Sequence, residues 1–285
     1  MQTVRALNPL RQTVDALRGQ AAGGTRLALV PTMGALHEGH LTLVRRAREL
    51  AGLVAVSIFV NPRQFGPNED LDAYPRQMER DRALLEAEDV DLLWAPDVGA
   101  MYPEGYATNI GVSGVSAGLC GADRPGHFDG VATVVCKLFN QVRPDIALFG
   151  EKDWQQLAVI RRMARDLDLT QPHVDDIVGV PIVREEDGLA MSSRNAYLST
   201  GQRQAAGRLN IAMREAIARL GSGDAAAVMA DLRAAIIAAG FDSVDYAELR
   251  DADSIELLDA ANGNARLFVA ARIGGTRLID NMAAR

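Results

Sequence analysis

Two histidines three residues apart, His37 and His40, stand where a short apolar run gives way to a helical pattern. The run is LALV at 27–30, and the helical spacing is Leu41, Val44, Ala47 and Leu50, with arginines on the other face. The breaker cluster Pro31-Thr32-Met33-Gly34 lies between them. A helix start offers unpaired N–H groups and the positive end of a dipole, which together favour a phosphate. Three more polar clusters carry compatible chemistry: Asn61 with Gln64, Lys152 with Asp153 and Gln156, and Met191-Ser192-Ser193-Arg194-Asn195. Two imidazoles, one ammonium, one guanidinium and two hydroxyls suffice to neutralise a triphosphate. Each cluster alone has a plain structural reading: cap histidines, a solvated Lys-Asp pair, a serine N-cap, turn amides. Their co-location is what favours chemistry.

That co-location follows from the elements around them. The runs 27–30, 53–60, 90–94 and 145–149 read as buried strands, and 177–183 as a strand interrupted by Pro181. Helical patterns at 41–50, 76–87, 131–142 and 154–167 alternate with them, and 1–22 reads as a short helix. Alternation of this kind gives a Rossmann-like, doubly wound parallel α/β sheet, whose ligands bind beyond the C-terminal ends of the strands. His37/His40, Asn61/Gln64 and Lys152/Gln156 all follow such ends. The Gly-, Pro- and Ser-rich stretch 96–128 is long for a connection and reads as a functional excursion with a weak strand signal at 108–112. His127 within it reads as a loop histidine.

Composition changes near Leu198. Residues 201–240 are alanine-rich and helical in pattern, broken at Gly221-Ser222-Gly223, and 244–249, 266–273 and 276–280 read as strands. Gly274-Gly275 is a hairpin signal. The expected division is therefore 1–185, binding nucleotide and substrate, and 186–285, a smaller α+β unit with a three-stranded antiparallel sheet acting as a lid.

The chain has 285 residues and a net charge of −7, which argues against nucleic acid or an anionic membrane as partner and requires a local cation cluster for any anionic substrate. Two cysteines, Cys120 and Cys136, make no disulfide framework and no CxxC metal pattern. No apolar leader is visible in MQTVRALNPLRQ and no apolar run reaches ~18 residues, so the expectation is a cytoplasmic protein. A protein-built metal site lacks a third ligand at a telling spacing. Mg²⁺ travelling with nucleotide phosphates fits better, with Asp81 as its candidate carboxylate.

The blocks PTMGALHEGH, FVNPRQFGPNEDLDAYPR, RPGHFDGVATVV, FGEKDWQQL and VGVPIVREEDGLAMSSRNAYL resemble those of the pantoate–β-alanine ligases. The likeness runs from about residue 25 to 200, and RDADSIELL and VAARIGGTRLIDN resemble that family's small C-terminal domain. HxGH alone would indicate only the wider nucleotidyltransferase superfamily. The resemblance implies condensation of pantoate with β-alanine at the expense of ATP, through a pantoyl adenylate, giving pantothenate, AMP and diphosphate on the way to coenzyme A. It implies that Met33, Gly34, Ala35, Leu36, His37, Glu38, Gly39 and His40 contact ATP, with His40 as proton donor. Gly150, Glu151, Lys152 and Asp153 would hold ribose and phosphates, and Val183 the adenine through its backbone. Met191, Ser192, Ser193 and Arg194 would take the outer phosphates.

Gln64 and Gln156 would hold pantoate, with Gln64 also bordering β-alanine and Asn61 beside it. His40, His37, Lys152 and Arg194 are the groups expected to carry catalysis. A homodimer is implied by the resemblance alone. Cys120 stands where an acidic residue is expected, Trp154 where Tyr or Phe is common, and Arg63 at a variable position. A nucleotidyltransferase acting on a phosphorylated acceptor is the alternative. It needs more cations than the 61–74 loop offers, with one arginine and three acidic residues.

Overall fold

The computed structural model describes residues 1–67, 69–221 and 224–284. The chain opens with β1 (Gln2–Val4) and α1 (Leu7–Gln20), then β2 (Leu27–Thr32), α2 (Glu38–Leu50) and β3 (Leu53–Ile58). There follow α3 (Met78–Ala87), β4 (Leu92–Trp94), the short α4 (Val98–Met101) and α5 (Leu119–Asp123), α6 (His127–Val142), β5 (Ile146–Gly150), α7 (Trp154–Asp166) and β6 (Ile177–Val180). The last part holds α8 (Thr200–Leu220), α9 (Ala225–Ala238), β7 (Ser243–Asp251), β8 (Ala265–Ile273) and β9 (Thr276–Ala283).

The first six strands form one parallel sheet in the order β1-β4-β3-β2-β5-β6. Strand side chains alternate between its faces. Leu27, Leu29, Leu53, Ala55, Ala147 and Phe149 therefore pack with α1, α6 and α7, whereas Ala28, Val30, Val54, Val56, Ile146 and Leu148 pack with α2 and α3. Both faces are covered, which is why these strands read as unbroken apolar runs.

The second sheet is antiparallel, β7-β8-β9, and its β8–β9 hairpin turns on Gly274 and Gly275, both at positive φ as a tight turn of this kind requires. Ala247, Leu249, Leu267 and Val269 face α8 and α9. Tyr246, Phe268 and Ala270 on the other face join the apolar cluster of the first sheet, with Leu119, Cys120 and Phe128. The C-terminal sheet is thus buried on both sides and docked against the parallel-sheet unit.

Several boundaries differ from the sequence expectation. Residues 1–22 contain a strand as well as a helix, because Gln2, Thr3 and Val4 pair in register with Leu92, Leu93 and Trp94. The strand expected at 53–60 stops at Ile58 before Asn61-Pro62. That expected at 177–183 stops at Val180, since Pro181 has no N–H to give. No strand forms at 108–112 among the described residues. The break read at Gly221-Ser222-Gly223 follows α8, which ends at Leu220, while Ser222 and Gly223 lie outside the described residues.

Candidate active site

The C-terminal ends of β2, β3 and β5 open into one crevice with a cavity volume of about 240 Å³. From the segment after β2 it is lined by Met33, His37, Gly39 and His40, and from the segment after β3 by Asn61 and Gln64. Beyond β5 come Gly150, Lys152, Asp153 and Gln156, and beyond β6 come Val183, Met191, Ser192, Ser193 and Arg194. Four clusters far apart in the chain meet as the parallel topology predicts. Gly34, Ala35, Leu36, Glu38 and Glu151 do not line this crevice.

His37 and His40 form a reciprocal cap on α2. His37 Nδ1 accepts from Gly39 N–H at 3.2 Å, and His40 Nδ1 accepts from His37 N–H at 3.3 Å, with the rings 4.1 Å apart. His40 N–H and Leu41 N–H both bond the His37 carbonyl. The helix start thus consumes most of its own N–H groups, and what remains for an anion is the dipole and the imidazoles. Because both Nδ1 atoms accept, each neutral ring carries its hydrogen on Nε2. Burial, then Lys152, pulls His37 down to about 4; burial, then His37 and Lys152, pulls His40 to about 3. Both rings are neutral near pH 7, so His40 can donate a hydrogen bond there but holds no surplus proton to release.

His127, which the sequence reading treats as a loop histidine, also lines the crevice. Its Nδ1–H donates to Gln64 O at 2.8 Å and its Nε2 accepts from Arg124 Nη1 at 3.1 Å; burial, then Arg124, lowers it to about 4. The three depressed imidazoles give stability a definite pH dependence. Between the ordinary value of 6.5 and the folded values, the unfolded chain binds more protons than the folded one, so stability falls as pH falls. A thermal unfolding midpoint declining steadily from pH 6.5 to about 5, above the main carboxylate range, is the expected result in calorimetry. A flat midpoint over that window would mean that the imidazoles are charged in the fold.

The amides divide their labour. Asn61 is 1% exposed and all its hydrogen-bonding capacity is used. Its Oδ1 accepts from Tyr102 OH and Arg63 N–H, and its Nδ2 donates to Gln64 Oε1 and Gly130 O. Asn61 lines the crevice and in this arrangement orients Gln64, whose Nε2 lies 3.1 Å from Met33 Sδ. The close pass of α6 behind this turn needs glycine at 130, where a Cβ would sit 2.2 Å from Arg63 O.

Asp81 is corrected from its expected role. It is 1% exposed, outside the crevice lining, and its two oxygens accept from Ala35 N–H and Leu36 N–H, each at 2.8 Å. It fixes the left-handed turn at Gly34 and Ala35, with φ of 82° and 51°, and is not placed to hold a metal. A Cβ at Gly34 would lie 3.0 Å from Asp81 Oδ2. The carbonyl of Ala35 then accepts from Ser193 Oγ at 3.1 Å, tying the turn to the serine cluster. Ser192 caps the short turn Ser193–Tyr197 by accepting from Arg194 N–H.

Two guanidiniums line the crevice, and each meets a carboxylate from the 61–75 loop. Arg194 forks onto Asp70 at 2.8 and 3.1 Å, and Arg124 onto Glu69 at 2.5 and 2.6 Å. Arg124 carried no motif signal beyond its place in RPGHFDG. Among the described residues Lys152 pairs with the adjacent Asp153, at 3.6 Å. Trp154, one of the departures from the family pattern, stacks under Arg266 at 3.4 Å and donates to Ala252 O. Cys120, another, lies 3.2 Å from Tyr246 OH and lines an adjoining cavity of about 260 Å³ that shares Lys152, Asp153 and Gln156 with the first.

This geometry can hold a polyphosphate against cations and neutral donors, with two glutamine amides beside it. The family model for pantoate–β-alanine ligase matches residues 2–283. The chain is 70% identical to pantothenate synthetase of Novosphingobium aromaticivorans over 99% of this chain and 98% of that protein. Against the pantothenate synthetase of Sphingopyxis alaskensis it is 61% identical over 99% of each. A crystal structure of pantothenate synthetase from Thermus thermophilus superposes with a TM-score of 0.90 at 47% identity, covering 100% of this chain and 99% of that one. The ligase from Francisella tularensis, solved with βγ-ATP and β-alanine, has a TM-score of 0.82 at 32% identity, covering 100% and 98%. With its parallel sheet, its histidine-capped crevice and these likenesses along its whole length, the chain belongs to the pantoate–β-alanine ligase family.

Proposed function

We propose that the crevice first adenylates the carboxylate of pantoate and then transfers the pantoyl group to β-alanine. The overall reaction, amide-forming ligation of pantoate with β-alanine driven by ATP, follows from the family. In the first half a pantoate carboxylate oxygen attacks the α-phosphorus and diphosphate leaves. In the second the β-alanine amine attacks the acyl carbon, loses a proton, and AMP leaves. No enzyme nucleophile is needed, so the protein's task is placement and stabilisation of phosphate charge.

The observation that carries this reading is the convergence of Lys152, both Nε2–H imidazoles, Arg194 and the serine pair with Gln64 and Gln156 in one crevice. Lys152 and the histidines serve the α- and β-phosphates, and Ser192, Ser193 and Arg194 the outer ones. Val183 takes adenine through its backbone, and Gly150 with Asp153 the ribose. Gln64 and Gln156 hold pantoate with amide donors, which add no charge of their own. Arg194 is taken up by Asp70 in this structure, so its engagement with phosphate exchanges one bidentate anion for another.

Mg²⁺ belongs to the same reading: bound with ATP, it neutralises phosphate charge. One carboxylate plus phosphate oxygens is a usual magnesium set, and Asp153 is the carboxylate lining the crevice. The unit 186–285 is proposed as the wall that keeps water from the adenylate. A cytoplasmic homodimer completes the proposal; among the described residues no helix is long and apolar enough to cross a membrane.

The test is diphosphate release from ATP and pantoate with and without β-alanine. The expected result is one burst of diphosphate without β-alanine and continuous AMP and diphosphate production with it. Release indifferent to β-alanine, with turnover on a phosphorylated acceptor, would move the chain to simple nucleotidyl transfer.

A further inference from the structure

We infer that Asn281, on β9, is a positioning residue for Lys152, so that the C-terminal sheet builds part of the phosphate pocket as well as walling it. This rests on the phosphate-binding role proposed above for Lys152. Asn281 stands in the RLIDN segment, which the reading of the crevice leaves without a task.

Asn281 is 2% exposed. Its Nδ2 donates to two consecutive carbonyls, Glu151 O and Lys152 O, each at 2.9 Å. Its Oδ1 accepts from Arg266 Nη1. The Arg266 guanidinium lies over the Trp154 ring, and Trp154 Nε1–H donates to Ala252 O at 2.7 Å. The turn Glu151–Asp153, which carries Lys152 into the crevice, is therefore gripped at both ends by residues of the C-terminal part. Asn281 holds its carbonyls; Arg266 and Ala252 hold the indole that follows it. The adjacent Asp280, 3% exposed, pairs with Arg184 at 2.6 and 2.9 Å and anchors β9 to the segment leading out of β6.

The chemistry of the side chain suits this task. Only an amide offers two N–H donors toward neighbouring carbonyls and an oxygen facing a guanidinium at the same site. A carboxylate would keep the arginine bond and set oxygen against oxygen at the carbonyls. Lys152 has four rotatable bonds, so its ammonium is placed no better than its backbone. A shift of about 1 Å at a reacting centre can cost ~10²-fold in rate.

The test is a double-mutant cycle on the single-turnover rate of adenylate formation, followed with radiolabelled ATP. Asn281→Ala is expected to slow the wild-type step about tenfold or more, yet to cost less than twofold in a Lys152→Ala background. The thermal midpoint would shift equally in both backgrounds. Equal rate losses in both would overturn the inference and leave Asn281 a structural residue. Asn281→Asp, keeping the bond from Arg266, repeats the cycle with a variant that creates no cavity. Failure of the underlying reading shows separately, as Lys152→Ala alone retaining a normal rate.

Discussion

Lys152→Ala is expected to lower the rate of adenylate formation by about 10²- to 10³-fold, the usual cost of removing one preorganised electrostatic group. Lys152 carries the crevice's least committed positive charge. Arg124 and Arg194 are each held by a bidentate carboxylate, and His37 and His40 are neutral near pH 7. Under the proposed mechanism, charge developing on the α-phosphate and on departing diphosphate falls first to Lys152. Its carboxylate neighbour Asp153 is 3.6 Å away and half exposed, a pairing worth little in itself. The fold is expected to survive the substitution, with a thermal midpoint near that of the wild type. Rapid-quench measurement of the first turnover checks the rate. A loss smaller than about tenfold would move the burden to the imidazoles.

Much of this arrangement is legible in the sequence, for physical reasons that differ by element. The buried parallel strands announce themselves because both faces of the sheet are covered, as at LALV in β2 and LVAVSI in β3. The crevice follows from topology once the strands are placed, and His37, His40, Gln64, Lys152, Gln156 and Arg194 all reach it. What stays hidden is the partner of each polar group. Asn61 and Asp81 are the kinds of residue that bind substrate or metal, and spacing cannot show which backbone and side-chain groups of other elements they bond in the fold. Their partners are separated from them by up to 69 residues, as for Asn61 with Gly130. His127 and Arg124 escape a sequence reading for the same reason: their task depends on Gln64 and Glu69, some sixty residues earlier, folding over them. The strand β1 is invisible because three residues at a sheet edge carry too little pattern.

The docking of the C-terminal sheet changes how closure is pictured. A sheet with Tyr246, Phe268 and Ala270 packed into the first unit's core cannot swing away as a free lid without exposing that face. The two guanidiniums of the crevice are held instead by the Glu69 and Asp70 carboxylates.

Asp81→Ala is expected to cost stability and ATP use together, with no change in magnesium requirement. The substitution leaves Ala35 N–H and Leu36 N–H buried and unpartnered, at about 1–3 kcal/mol for each orphaned group. At roughly 2–4 °C per kcal/mol for a chain of this size class, the thermal midpoint should fall by about 5 °C or more. The same loss frees Gly34 and Ala35 from their left-handed turn. That turn presents the carbonyl Ser193 binds and leads directly into the His37 cap, so kcat/KM for ATP should drop by about 10- to 10²-fold. The destabilisation persists in EDTA because no metal is involved in those two hydrogen bonds, and the magnesium concentration giving half the maximal rate stays where it was. A metal ligand would behave in the opposite way: the midpoint would be untouched in EDTA, and the magnesium requirement would rise. Asp81→Asn separates the effects further, since its amide oxygen can satisfy one N–H while its NH₂ opposes the other. An intermediate loss of midpoint is expected, again without a shift in magnesium dependence.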